Sequence, residues 1–206
     1  MFFRKRPYFG IDLYFNDLIS IITDPEGFFR RVRLHNWRKP FYFFLQTTLL
    51  LSIGTIALNL YGYGSTDLSS AYQSQIIAYR MTTRYLLPKF GNFAFVIEFF
   101  LIIFFSIVLL TILTLVFHII FLILGGKGSI VDAWKAMCYG TGPCALGGFI
   151  PYLSLVVGFY SFFLQFYIAP RSLYRLKESR LLLLLSLLFA GLFIEIYMYG
   201  TTVGYP

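Results

Sequence analysis

Two carboxylates lie deep inside long apolar runs of this 206-residue chain: Glu98 in the run 93–124 and Glu195 in the run 181–199. An acid facing hydrocarbon is costly, so each is expected to turn toward the interior of a helix bundle or a wet cavity. Each sits about one to two turns from what reads as the same end of its run. Two uses follow for this outer polar cluster. It can be satisfied structurally, by Arg80, Arg84 or Lys89, or by one carboxyl that stays protonated and hydrogen-bonds the other. Or it can line a site for a cation, a proton or an amine-bearing headgroup. A second group, His118, Asp132 and Lys135, flanks the turn Gly125-Gly126-Lys127-Gly128. Folding back at that turn brings the three to similar depth, as a stitch between helices or as a proton relay.

Catalytic chemistry has no such support. The sequence contains no Ser/His/Asp or Cys/His set, no HExxH and no carboxylate-rich metal pattern. Neither an enzyme activity nor a cofactor or metal is therefore expected. The glycine turn resembles a phosphate loop only at first sight. That loop needs a glycine where Phe121 stands and a Ser or Thr where Gly128 stands. The glycines read instead as a helix C-cap, with Ser129 capping the next helix and Asp132 in its first turn. Cys138 and Cys144, six residues apart inside one apolar segment, read as small buried side chains.

The elements that must carry these residues are membrane helices. Apolar residues make up 58% of the chain, aromatics 21% and charged residues 13%. The surface of a soluble domain of this size requires far more charge. Spans need about 20 apolar residues. Clear ones lie at about 41–61, 93–124 and 181–199, and weaker ones at about 131–150 and 152–169, the last two joined in a tight hairpin at Pro151. The expected fold is thus an all-α integral membrane protein, with residues 1–40 as interfacial helices and 41–206 as a five-helix transmembrane domain. In the third span Ala136, Gly140, Cys144 and Gly148 step by four. They form a small-residue face for close packing, within the chain or in a homo-oligomer. Gly142-Pro143 loosens the backbone there.

Charge sets the orientation. Eight basic residues precede the first span, and Lys127, Lys135, Arg171, Arg175, Lys177 and Arg180 fall on the same side in a five-span arrangement. Only Arg80, Arg84 and Lys89 fall opposite. The positive-inside rule then places the N-terminus in the cytoplasm and the C-terminus outside. The net charge of +8 reads as topology and lipid-headgroup contact rather than nucleic-acid binding. No apolar stretch of signal-peptide type follows Arg4-Lys5-Arg6, so the first residues are expected to be retained.

Ahead of the first span, Ile11, Tyr14, Phe15, Leu18 and Ile22 recur at helical spacing among Asp12, Asn16 and Asp17. This amphipathic helix is expected to lie at the membrane surface. Thr23-Asp24-Pro25-Glu26 restarts a second interfacial helix, with Glu26 in the capping-box position. Phe28, Phe29 and Val32 lie on one side of it, and Arg30, Arg31 and Arg33 around it. Membrane anchoring and docking of a partner, or of acidic lipid at the arginines, are the two uses of this region. In the loop 62–91, Leu68, Tyr72 and Ile76 predict a helix resting on the outer surface.

The segments from His118 to Leu124, Gly-Gly-Lys-Gly-Ser, Ala133-Trp134-Lys135-Ala136, Tyr139-Gly140-Thr141-Gly142-Pro143 and Ile150-Pro151 resemble the core of the Yip1 domain family. Asp24-Pro25-Glu26-Gly27-Phe28-Phe29, with Trp37 and Pro40, resembles that family's approach to its first span. The resemblance implies five helices and a cytoplasmic N-terminus. Eukaryotic members bind Rab GTPases and each other in traffic between endoplasmic reticulum and Golgi. This chain departs from them: no long Pro/Gly-rich arm precedes Asp24, and Phe15 follows Asp12-Leu13-Tyr14 where those relatives carry Gly-Pro. It is more similar to short archaeal and bacterial members, which implies a prokaryotic cell membrane, and Rab binding is not carried over.

Function follows by class. The first reading is a non-enzymatic membrane protein that organises the membrane or binds a protein partner through its cytoplasmic face, in contact with lipid. The second, from another class, is a small transporter or channel for a cation, proton or lipid built on the interior polar residues. A lipid-modifying enzyme ranks below both.

Overall fold

A computed structural model of the chain describes residues 10–60, 82–147 and 153–202, and of residues 58–60, 83, 154–155, 192 and 195–202 the backbone alone. Among the described residues it is all helical. Seven helices organise it: α1 Ile11–Thr23, α2 Pro25–Val32, α3 Arg38–Leu60, α4 Ala94–Ile123, α5 Ile130–Gly140, α6 Leu153–Phe163 and α7 Glu178–Thr202. The predicted helix of the outer loop and the hairpin at Pro151 lie outside the described residues.

Among the described residues two helical stretches, Arg38–Ala57 and Arg84–Ile123, are long and apolar enough to cross a membrane. Helix α4 carries the plainest sign of a hydrocarbon surround. None of residues 99–109 is buried, and Phe100, Phe104 and Phe105 are each at least 60% exposed. In water such a surface would be a severe liability.

The third predicted segment is not one helix. Helix α5 ends at Gly140, a turn occupies 141–143, and a single helical turn, Cys144–Gly147, follows. Pro143 has no N–H to continue the ladder, and its ring crowds the preceding turn. The expected small-residue face is therefore interrupted. Ala136 and Gly140 share a helix, Cys144 follows the break, and Gly148 lies outside the described residues. Further on, α6 loosens into a π-helical turn, Leu164–Ile168, before Ala169–Leu173. Pro170 in that last piece cannot donate to a carbonyl four residues back, and local rewinding next to such a residue is the usual response.

The N-terminal helices pack one face against the chain's own bundle. Tyr14, Leu18 and Ile21 of α1 and Phe28, Phe29 and Val32 of α2 are buried within the chain's own core. The Tyr14 ring packs 4.9 Å from Phe43 of α3, and Phe28 packs edge-on 4.9 Å from Tyr139 of α5. The Tyr160 hydroxyl of α6 donates to the Ile21 carbonyl at 3.0 Å. The amphipathic set of α1 is thus divided: Tyr14 and Leu18 face the bundle, whereas Ile11, Phe15, Ile19 and Ile22 form an exposed stripe. Two apolar faces are needed because the helix touches its own bundle on one side. Asp24 caps α2 by accepting from the Gly27 N–H at 3.0 Å. Glu26 does not close the capping box and pairs instead with Arg30 and Arg171, each at 3.2 Å.

Candidate functional site: a tyrosine-centred network at the basic end

Three connections assemble at one end of the bundle, the linker 33–37, the hairpin 124–129 and the segment 174–177. The hairpin begins with a C-cap of Schellman type. Gly125 takes φ +81°, its N–H donates to Leu122, and the Gly126 N–H donates to Phe121, both at 2.8 Å. It ends where the Ser129 N–H and hydroxyl both donate to the Asp132 carboxylate at 2.9 Å, fixing the start of α5.

Into this hairpin fits Tyr174, which is fully buried. A Cβ placed on Gly126 or Gly128 would come within 2.8 Å of the Tyr174 ring. Those two glycines are therefore the condition for its approach. The Lys127 N–H donates to the Tyr174 carbonyl at 3.0 Å, and the Arg180 guanidinium donates to the Leu124 carbonyl. The Tyr174 hydroxyl lies 2.8 Å from the Ser129 carbonyl and 2.5 Å from His118 Nδ1. A phenol has one proton and a carbonyl none, so Tyr174 donates to Ser129 and accepts from His118. That count assigns the Nδ1-protonated form to His118. Burial, and then the negative charge of Asp132, push the Tyr174 phenol up, which keeps it a neutral donor.

Lys135, almost wholly buried, donates to the Arg33 carbonyl at 2.7 Å and to Asp132 at 3.3 Å. The predicted trio of His118, Asp132 and Lys135 is thus joined in space, but through two residues: Tyr174 and Ser129 complete the path from His118 to Asp132. Tyr174 was not legible as a site residue. It lies among Arg171, Arg175 and Lys177, where an exposed loop is the ordinary expectation.

The same helix holds the linker at three points. Besides Lys135, the Trp134 indole donates to the Trp37 carbonyl, and the Tyr139 hydroxyl lies beside His35 Nδ1, both at 3.3 Å. Burial, with help from the positive charges of Lys39 and Lys135 and against Asp17, holds His35 below its ordinary value. Lys39 pairs with Asp17 of α1 at 3.0 Å. The network orders these connections around the buried Lys135, while most of the neighbouring cations stay at the surface. Arg30, Arg31, Arg33, Arg38, Lys127, Arg175 and Lys177 are all exposed.

The two carboxylates of the long apolar runs divide. Glu98 is 4% exposed, on the first turns of α4, and the Glu195 side chain lies outside the described residues. Cys144 Sγ contacts the Ser161 hydroxyl at 3.2 Å, and Gly140 faces Gln165 of the π-helical turn. Among the described residues no group of three His, Cys, Asp or Glu is placed to hold a metal ion.

Compared with known families, residues 19–198 match the Yip1 domain. No curated protein and no solved structure matches the chain.

Proposed function

Because the chain belongs to the Yip1 domain family, we propose that it is a five-span membrane protein without enzymatic activity that binds a protein partner or organises the membrane through its cytoplasmic face. Its family and its apolar helices mark it as a membrane protein. The observation that carries the finer reading is the joining of three basic connections into one rigid, positively charged end. Lys135 binds the linker, Tyr174 fills the hairpin, and Arg180 reaches Leu124. Connections that touch one another lie on one side of the bilayer, and a concentration of exposed arginine and lysine favours the cytoplasmic side. Helix α7 then leaves that end for 25 residues, about 37 Å. That is enough to bring the C-terminus out on the far side. The remaining spans are the residues around α5 and α6.

Single-cysteine labelling tests the topology in a background with Cys138 and Cys144 replaced by Ala. A reporter at Ser172 should react from the cytoplasm, and reporters at Ser70 and Thr202 from outside. Reaction of the Thr202 reporter from the inside would remove the five-span reading. For the face itself, a photo-crosslinker at Arg31 should yield a discrete adduct in intact cells, lost with Arg30→Glu. A smear of lipid adducts alone would argue against a protein partner.

The burial of Glu98 favours one alternative, a small transporter or channel for a cation, proton or lipid, because an ionisable group inside a membrane bundle marks ion pathways. Purified protein in sealed vesicles separates the two. Proton or cation flux that Glu98→Gln abolishes would displace the partner-binding reading.

A further inference from the structure

Both tryptophans of the chain line one groove. It has a volume of about 330 Å3 and runs between Trp37 at the approach to α3, Thr111, Thr114 and Leu115 of α4, and the first turns of α5 around Trp134. That is the small end of the range in which proteins hold small molecules. Trp37, Leu115 and Ile130 are each nearly half exposed, so the groove is open along one side.

Its wall offers no hydrogen bond. The Thr111 and Thr114 hydroxyls are turned onto their own helix, donating to Ile107 and Leu110 at 2.9 and 2.7 Å. The Trp134 indole N–H is occupied by the Trp37 carbonyl. What remains are methyl groups and ring faces, which suit only hydrocarbon. Polar recognition stands beside the groove: the Arg38 guanidinium carbon lies 5.6 Å from the centre of the Trp37 ring, with its side chain exposed. From the end of α4 at Ile123, Thr111 is twelve residues in, about 18 Å along the axis. The groove's wall on α4 covers Thr111 to Leu115, about 6 Å of that axis, which is room for a segment of one chain.

We propose that this groove binds one acyl chain of an anionic phospholipid, with the phosphate on Arg38 and the tryptophans at headgroup level. The dry wall selects a chain, and Arg38 prefers a negative headgroup over a zwitterionic one. The proposal rests on the membrane-spanning reading of the helices and deepens it. A specific lipid held between the linker and α4 would brace the segment that α5 grips.

Because the two tryptophans are the chain's only indoles, their fluorescence reports the groove directly. The full chain is placed in phosphatidylcholine vesicles, and its insertion is checked separately by co-flotation. Brominated phosphatidylglycerol is then titrated against brominated phosphatidylcholine. Quenching should saturate, with half-effect at about five-fold lower mole fraction for the glycerol lipid. Arg38→Gln should erase that preference, and Thr111→Phe, or Leu115→Phe if the first is unstable, should remove the saturable part for both lipids. Linear quenching that is identical for both lipids and in every variant would overturn the site. Saturable quenching without headgroup preference would overturn the anionic occupant. Failure to co-float would instead count against membrane insertion itself.

Discussion

Tyr174 and His118, 56 positions apart in the chain, meet through a hydroxyl and a ring nitrogen 2.5 Å apart. The same hydroxyl holds the Ser129 carbonyl at 2.8 Å. One buried phenol thus ties α4, the start of α5 and the approach to α7. Tyr174→Phe keeps the ring and removes the tie, leaving a carbonyl and an N–H without their partner. The loss should be about 1–3 kcal/mol, read as a lower unfolding midpoint in detergent. An unchanged midpoint would mean that water serves those groups equally well.

Docking of the N-terminal helices is tested at Phe29, which is fully buried. Phe29→Ala should destabilise the protein by about 3–5 kcal/mol, the usual cost of removing a buried ring. A helix that merely rested on the bilayer would lose only membrane affinity, and the melting temperature would not move.

At Gly140 a Cβ would stand 2.2 Å from Cγ of Gln165. Gly140→Leu should therefore cost about 1–3 kcal/mol by overpacking. Wild-type stability of this variant would show that α5 and the π-helical turn separate without penalty.

The half-buried His35 makes stability depend on pH. Burial and the neighbouring Lys39 and Lys135 hold its folded value below the 6.5 of an unfolded chain. The unfolded state thus binds more protons as pH falls through 6.5, so the contribution is complete above that value and is lost below it. The melting temperature should drop between about pH 7.5 and about 5.5, and His35→Gln should flatten that drop. An equal drop in the variant would assign the effect to other groups.

Helix beginnings and ends were legible in the chain because their causes are local. Asp24-Pro25 starts α2, Ser129 with Asp132 starts α5, and Gly125 stops α4, each through hydrogen bonds spanning three to five residues. The long apolar runs likewise declared the membrane as solvent, since composition alone decides what surface a helix can show. The Thr141–Pro143 break was half legible. Pro143 announced a weakness, but its neighbours alone did not say whether the helix would bend or stop.

Only the tertiary structure decided which polar groups meet. Lys135 finds Arg33 across 102 positions and His35 finds Tyr139 across 104. No periodicity in the sequence encodes such pairings. The division of α1 into a buried and an exposed apolar face was decided there too, because helical spacing marks a residue as apolar without saying what covers it. The placement of Trp37 and Trp134 on one groove followed from the grip of α5 on the linker. Tyr174 took its central place because Gly126 and Gly128, remote in sequence, leave room for one ring. Local capping is fixed by neighbours along the chain, whereas burial depends on what the fold brings alongside.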